Sequence, residues 1–388
     1  MSLHLKIASC VRAKSKFSNC TKCVDACPDS ITLVDNLPSF ANNTGVEAAA
    51  CVGVCPTEAF SLSDFSTTEF FFTFLDSKVR LISPKLNVPC LSVLSVEHLI
   101  SLALASDDEI TLDLSSYDEE SILYEQIDAR IEEANFVLSS FSSKKLMSNA
   151  EYDVPVQEET QENEVTSRRS FLGNASLKGV VKHKMTFDEA VEADELKTFA
   201  LDVETIAKIK EKELPDKRKI LFTILKQAKI PNAFEVLAEE DVSFTSQKFV
   251  DDSCTNCQIC YRICPTGALS SDARFSLINF DAMLCVKCRL CHEVCEPEAI
   301  QLQPGYEVKE LFEPTQRTLV TFNIKRCNEC GNNFTYTGGE QACPRCLVEE
   351  EEAMFLHSNA KRMKVAKEEQ VQKEEKTAQE EAEKENKA

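Results

Sequence analysis

Residues 254–265 read CTNCQICYRICP, and residues 285–297 read CVKCRLCHEVCEP. Each carries Cys-x2-Cys-x2-Cys-x3-Cys: Cys254, Cys257, Cys260 and Cys264, then Cys285, Cys288, Cys291 and Cys295. Three thiolates at this spacing can wrap one soft metal centre in a tight loop. Such spacing, in a chain with no visible secretion signal, points to metal rather than disulfides. The intervening RFSLINFD (274–281) reads as a hairpin strand that brings the two runs together.

Over roughly 60 residues this block resembles the bacterial 2[4Fe–4S] ferredoxin family, whose runs have the same spacing. In that family the fourth Cys of each run ligates the other cluster. The resemblance therefore implies one cluster on Cys254, Cys257, Cys260 and Cys295, and a second on Cys285, Cys288, Cys291 and Cys264. It also implies loop N–H groups directed at sulfur, which favour the reduced cluster. The chain departs from the pattern once: Pro265 follows Cys264 directly, whereas Glu296 separates Cys295 from Pro297. His292 sits inside a run whose cysteines already fill the ligand slots, which leaves it a surrounding role.

The N-terminal region aligns with the same block without gaps. FSNCTKCVDACP (17–28) matches the first run, and GVEAAACVGVC (45–55) matches the second. Phe17, Gly45 and Ala48 occupy three slots that need a ligand. The region reads as a degenerate internal copy of the ferredoxin module, with ITLVDNLPSF as its hairpin. The crossed rule assigns Cys20, Cys23 and Cys55 to a third [4Fe–4S] cluster, with upstream Cys10 as the fourth ligand. Cys27 and Cys51 are left as neighbouring thiols, because two thiolates do not hold a cubane. The alternative is a metal-free relic.

A third group, KRCNECGNNFTYTGGEQACPRC, holds Cys327, Cys330, Cys343 and Cys346 as two CxxC pairs. It looks like a zinc ribbon, a closed all-sulfur structural Zn2+ site. A rubredoxin-like iron site uses the same ligands. RTLVTFNI ahead of it reads as a strand, and Gly338-Gly339 as a turn.

Composition shifts divide the 388 residues into a degenerate ferredoxin module (1–65), a small α/β domain (66–149), a linker (150–185) and a helical segment (186–240). A 2[4Fe–4S] ferredoxin domain (241–317), a zinc-ribbon-like module (318–348) and a charged tail (349–388) follow. The expected class is multidomain α+β. Ferredoxin-type modules flank the α/β unit and helical segment, and the acidic tail is disordered or helical. Within 66–149, EFFFTFL, KVRLI, NVPCLSVL and EITLDL read as strands. SVEHLISLALA, capped by Ser95, and DEESILYEQIDARIEEA read as helices. Pro215 and Pro231 break the helical segment. Cys90 reads as a buried structural thiol, and SRRSFL (167–172) as an internal basic turn rather than an export signal.

A formal charge of −21 argues against nucleic acid and anionic membrane surfaces, and suits docking to basic patches on another protein. No long apolar run suggests a membrane span, so a cytoplasmic location is expected. No GxGxxG, Walker motif or Ser/His/Asp set is visible, so the chain is expected not to be an enzyme. The reading is an electron carrier or accessory redox subunit. By resemblance, its partners are larger oxidoreductases such as formate dehydrogenases or hydrogenases. The alternative is a non-catalytic maturation factor or adaptor for such a complex.

Overall fold

The same strand pair closes each cysteine-rich module. Leu3–Leu5 pairs antiparallel with Phe60–Leu62, and Lys248–Val250 pairs antiparallel with Ile300–Leu302. In each pair the last residue of the leading strand faces the first residue of the closing one: Leu5 opposite Phe60, Val250 opposite Ile300. Short helices follow the ligand loops: Lys22–Ala26 and Ala50–Val54 in one copy, Ile259–Ile263 and Leu290–Glu293 in the other. Glu58 (φ 48°) and Glu298 (φ 52°) take the same left-handed backbone three positions after Cys55 and Cys295. The computed structural model describes residues 2–40, 49–149 and 212–385. Gly45, Ala48, the 150–185 linker with SRRSFL, and the first part of the 186–240 segment lie outside them.

The copies differ at their entrance. Cys254 stands four positions after Val250, but Phe17 stands twelve after Leu5. The added residues form a 3-10 turn, Ile7–Ser9, and a short helix, Val11–Lys14, with Cys10 between them. The N-terminal hairpin pairs Ile31–Val34 with Leu37–Phe40. Its two turn residues, Asp35 (φ 50°) and Asn36 (φ 67°), are both left-handed, which matches the twist of the flanking strands. In the second copy Leu269–Ser270 pairs with Leu277–Asp281, and Gln316–Thr321 extends that sheet. RTLVTFNI therefore splits: its first part joins the sheet of the second cysteine-rich module, and Ile324–Arg326 pairs with Asn333–Thr335 beside the CxxC pairs.

Between the copies lies a parallel three-stranded sheet, Leu81–Ile82, Ile110–Asp113 and Leu146–Asn149. Helices Val96–Ala105 and Ile122–Ser139 accompany it. Ser95 caps the first helix, and its side chain accepts from His98 N–H. Two expected strands are not strands. EFFFTFL lies in the helix Thr67–Asp76, where Phe70, Phe71, Phe72 and Phe74 are buried. The Ser66 hydroxyl accepts from Glu69 N–H at 3.2 Å, so a local cap outweighs the β-preference of the aromatics. NVPCLSVL holds a buried 3-10 turn, Leu91–Val93; a continuous apolar run reports burial, not the element type. Gly53 permits the packing here, because a Cβ on it would stand 2.3 Å from Ser92 O.

The chain forms two compact units. One comprises 1–272 with 277–321, and the other 273–276 with 322–388. In the first unit, the helix Asp216–Gln227 joins all three parts. Arg218, 0% exposed, donates from Nε to Glu97 Oε1 at 2.6 Å. It also donates from Nη1 to Met283 O at 2.7 Å and from Nη2 to Phe244 O at 2.7 Å. Lys217 Nζ lies 3.3 Å from Glu97 Oε2 and donates to Cys55 O at 2.7 Å. Glu58 accepts from the Asp216 and Lys217 N–H groups at 2.5 and 3.2 Å, supplying partners the helix start lacks. In the second unit the tail is a helix, Pro344–Glu385, exposed along nearly all of its described side chains.

Burial pushes Glu97 up, but Arg218 and then Lys217 outweigh it and hold the carboxyl below the usual range. Replacing Arg218 by Met leaves that charge buried without its main partner. The expected loss is about 3–5 kcal/mol of unfolding free energy. Anaerobic denaturant titration measures it, and Arg218→Met combined with Glu97→Gln is expected to recover part of it.

Candidate metal centres

The two intact ligand loops share one backbone device. Asn256 (φ 54°) and Gln258 (φ 71°) flank Cys257, and Lys287 (φ 46°) and Arg289 (φ 61°) flank Cys288. Left-handed residues on either side of a ligand turn successive N–H groups inward, forming a concavity for an anionic group such as an iron–sulfur core. Four non-glycine residues accept this conformation, a cost that an ordinary surface loop does not carry. N–H groups reach sulfur directly: Asn256 to Cys254, and Leu290 to Cys288.

The sulfurs interleave between the runs. The thiolate charges acting on Cys288 are those of Cys264, Cys291 and Cys285, so Cys264 keeps company with the second run. Cys254 feels Cys295 and Cys257, so Cys295 lies with the first run. Burial pushes the Cys260 and Cys291 thiols up to about 12, and the charges of neighbouring cysteines raise both. Sulfurs packed this way repel one another as thiolates, and a cationic centre among them relieves the repulsion. The donor set and its loops therefore fit two cubanes. Cys264, Cys285 and Cys291 are buried and Cys257 is exposed, so the two groups differ in their access to solvent.

Lys248 gives no sign in the sequence, yet it is central to this site. Burial pushes the buried Lys248 ammonium down, but the charges of Cys285, Cys291, Cys288 and Cys264 outweigh it and hold it above the usual lysine range. Its Nζ donates to His292 Nε2 at 2.8 Å and to Ser246 Oγ at 3.3 Å. Burial, then the charges of Lys248 and Arg289, push His292 down to about 4, so the ring stays neutral and accepts. His292 thus orients a cation beside the second group.

In the N-terminal copy the charges of Cys20, Cys55 and Cys10 all act on Cys23, whose thiol burial pushes up to about 12. The inserted segment is tied to the ligand loop, with Arg12 Nε donating to Cys20 O at 2.5 Å. Cys55 Sγ accepts from Ala59 N–H at 3.2 Å, and Thr57 Oγ1 lies 3.8 Å from it. Thr266 Oγ1 stands 3.8 Å from Cys264 Sγ in the same way. This copy lacks the left-handed pair, since Thr21, which matches Gln258, has φ −117°. Four sulfurs gather here with fewer inward N–H groups. Cys27 and Cys51 are buried and hydrogen-bonded to each other. The Cys51 thiol donates to Cys27 sulfur and pulls it down to about 7; backbone N–H groups of Cys51 and Ala50 and the Arg130 charge act the same way.

The two copies meet at their ligand loops. Asn19 N–H, beside Cys20, donates to Glu293 Oε1 at 3.0 Å, on the turn between Cys291 and Cys295. Lys22 lies where the charges of Cys20 and Cys288 both reach it, together with those of Lys217 and Lys287. Cys90 is buried, with Ser92 Oγ at 2.9 Å and the Tyr117 hydroxyl donating at 3.3 Å.

In the second unit, Cys327, Cys330, Cys343 and Cys346 hold their sulfurs within 4.8 Å of one another. This compact all-sulfur set could take one tetrahedral ion. Cys343 N–H donates to Cys327 sulfur at 3.2 Å. The Cys330 N–H first, with those of Cys343 and Glu329, pulls the Cys327 thiol down to about 6. Gly331 (φ 74°) makes the left-handed turn that closes the first knuckle.

Among the described residues no helix is long and apolar enough to cross a membrane. No curated protein and no solved structure gives a significant match to the chain. Residues 248–270, from Lys248 through Cys254, Cys257, Cys260 and Cys264, match the 4Fe-4S binding domain family, so this segment is an iron–sulfur binding domain.

Proposed function

We propose that the protein is a non-enzymatic electron carrier holding three [4Fe–4S] clusters and one structural Zn2+. Cys254, Cys257, Cys260 and Cys295 hold the first cluster, and Cys285, Cys288, Cys291 and Cys264 the second. Cys10, Cys20, Cys23 and Cys55 hold the third, and Cys327, Cys330, Cys343 and Cys346 hold the zinc. Bound clusters supply one-electron 2+/1+ exchange. The observation that carries the reading is the apposition of ligand loops: Cys20 and Cys288 act on the same Lys22, and Asn19 bonds to Glu293. Exposed Cys257 marks the face for exchange with a partner, while the other two groups sit deeper. The partner class is a larger oxidoreductase of the formate dehydrogenase or hydrogenase type, by resemblance. The chain's acidic surplus favours a basic docking face on it.

A second reading is an adaptor or maturation factor for such a complex. The exposed Met354, Phe355 and Leu356 on the tail helix favour it, since they offer apolar surface to another protein. Partner binding that survives loss of the clusters points to the adaptor, and reduction of a partner through the clusters to the carrier.

Anaerobically purified protein is expected to hold about 12 Fe and one Zn per chain, at four irons per cubane. Cys10→Ser is expected to lose about four Fe. An unchanged iron content in that variant refutes Cys10 as the fourth ligand.

Lys248 holds a positive charge beside the second cluster's ligands, which favours the more negative, reduced state. Lys248→Met is expected to shift that cluster's potential negative, on the order of tens of millivolts. An EPR-monitored redox titration measures the shift, and the other two clusters are expected to move less.

A further inference from the structure

The tail helix, Pro344–Glu385, leaves large apolar side chains in water. Val348, Phe355 and Val365 are 52%, 65% and 53% exposed. With Glu351, Ser358 and Arg362 they recur alternately three and four positions apart. This is heptad spacing, which keeps all six on one face and is the seam of a helix that packs against a second helix. Met354 flanks the seam, whereas Leu356 and Met363 lie away from it.

The charges along this stretch fall in two blocks of opposite sign. Residues 349–352 are all Glu, and 361–364 hold Lys361, Arg362 and Lys364. Glu352 and Lys361 stand nine positions apart, about 13 Å along the axis, beyond the single turn over which side chains of one helix pair. Glu349 pairs instead with Arg345, at 2.8 Å. The blocks lie equally far on either side of a point between Leu356 and His357. Two copies turned end to end about that point set each acidic block beside the other's basic block. The same turn sets seam against seam: Val348 faces Val365, Glu351 faces Arg362, and Phe355 faces Ser358. Small Ser358 leaves room for the Phe355 ring, and its hydroxyl already donates to Phe355 O at 2.9 Å. A parallel pairing in register sets Glu351 on Glu351 and acidic block on acidic block, which like-charge repulsion opposes.

We infer that the tail helix forms an antiparallel two-helix coil with the same helix of a second copy, centred between Leu356 and His357. The contact is twofold, so each Glu351–Arg362 pair occurs twice. An ion pair inside the seam fixes register and orientation at a cost in stability. Three polar residues among the six seam positions make a dimer that dissociates on dilution, with a dissociation constant on the order of micromolar. The occupant of the apolar stripe is thus a second copy of this chain. The inference rests on neither the cluster assignment nor the electron-carrier reading.

The test is sedimentation equilibrium of the full-length, anaerobically purified protein over a range of concentrations. The expected result is reversible association from one chain mass to two. Glu351→Arg and Arg362→Glu are each expected to weaken it at least about tenfold, because each sets like charges face to face twice. Both positions are exposed and both replacements are good helix formers, so the fold is not at stake. The double variant Glu351→Arg/Arg362→Glu is expected to dimerise again, and so is an equimolar mixture of the two single variants. A wild-type chain that stays monomeric up to about 0.1 mM overturns the inference and leaves the stripe to a different protein. A dimer that neither single variant weakens also overturns it, since the contact is then parallel or elsewhere. Iron and zinc counts bear on the metal assignments alone, and the masses decide the coil.

Discussion

The first unit is organised around a buried carboxylate held between two cations. Glu97 comes from the α/β sheet region, and Arg218 and Lys217 come from a helix far along the chain. Burying a charge is costly unless it is paired and its remaining polar atoms are hydrogen-bonded. Arg218 meets that condition by directing its other nitrogens to Met283 O, just ahead of the second cysteine run, and to Phe244 O, just ahead of the strand that opens the second cysteine-rich module. Lys217 directs its own to Cys55 O, at the last cysteine of the N-terminal copy. One charge network therefore fixes the positions of three parts that are distant in sequence, and it does so at the edges of the thiol groups. The network acts together with the direct contact between the ligand loops, Asn19 N–H to Glu293 Oε1.

Gathering thiolates carries a similar cost, and the two copies meet it differently. The intact loops place left-handed residues beside Cys257 and Cys288, so that backbone N–H groups share the negative charge. The degenerate loop has no such pair beside Cys20. It compensates with an inserted turn and helix that bring Cys10 in, fastened by Arg12 to the Cys20 carbonyl. An insertion of this kind is tolerated because the closing strand pair, Leu3–Leu5 with Phe60–Leu62, keeps its register despite the longer approach.

The first cysteine run was legible from its spacing, and it lies in the segment 248–270 that matches the 4Fe-4S binding domain family. The gapless alignment of 17–28 with 254–265 anticipated the like strand pairs that close the two modules, whereas the turn and helix around Cys10 left no pattern beyond its nearness in sequence. Helix Val96–Ala105 was legible through Ser95, and Ile122–Ser139 through its length. The Phe-rich helix Thr67–Asp76 was misread because aromatic content outweighed the Ser66-x-x-Glu69 cap, a weaker but decisive local signal. Lys248, Lys22 and Arg218 were not legible at all. A lone cation in a strand or helix carries no pattern, and its value comes from partners hundreds or dozens of residues away, which only the tertiary arrangement supplies.

The distribution of charge has a consequence for how such a protein would work. The chain is strongly acidic overall, yet the groups packed against its sulfurs are cations: Lys248 beside the second run, and Lys22, Lys217 and Lys287 around the meeting of the two copies. Burial pushes Lys22 down, and Lys217 and Lys287 push it further, so these cations repel one another unless negative charge lies among them. Cys20 and Cys288 supply part of that charge. In the electron-carrier reading proposed above, an electron added between the ligand groups would supply more, and the same cations that repel each other in its absence would attract it. On that reading the buried junction would favour the reduced state, while the acidic surplus of the sequence would suit a basic docking face. A uniform acidic chain would have gained the docking face at the expense of the reduced state. Segregating buried lysines from surface carboxylates allows both in one polypeptide.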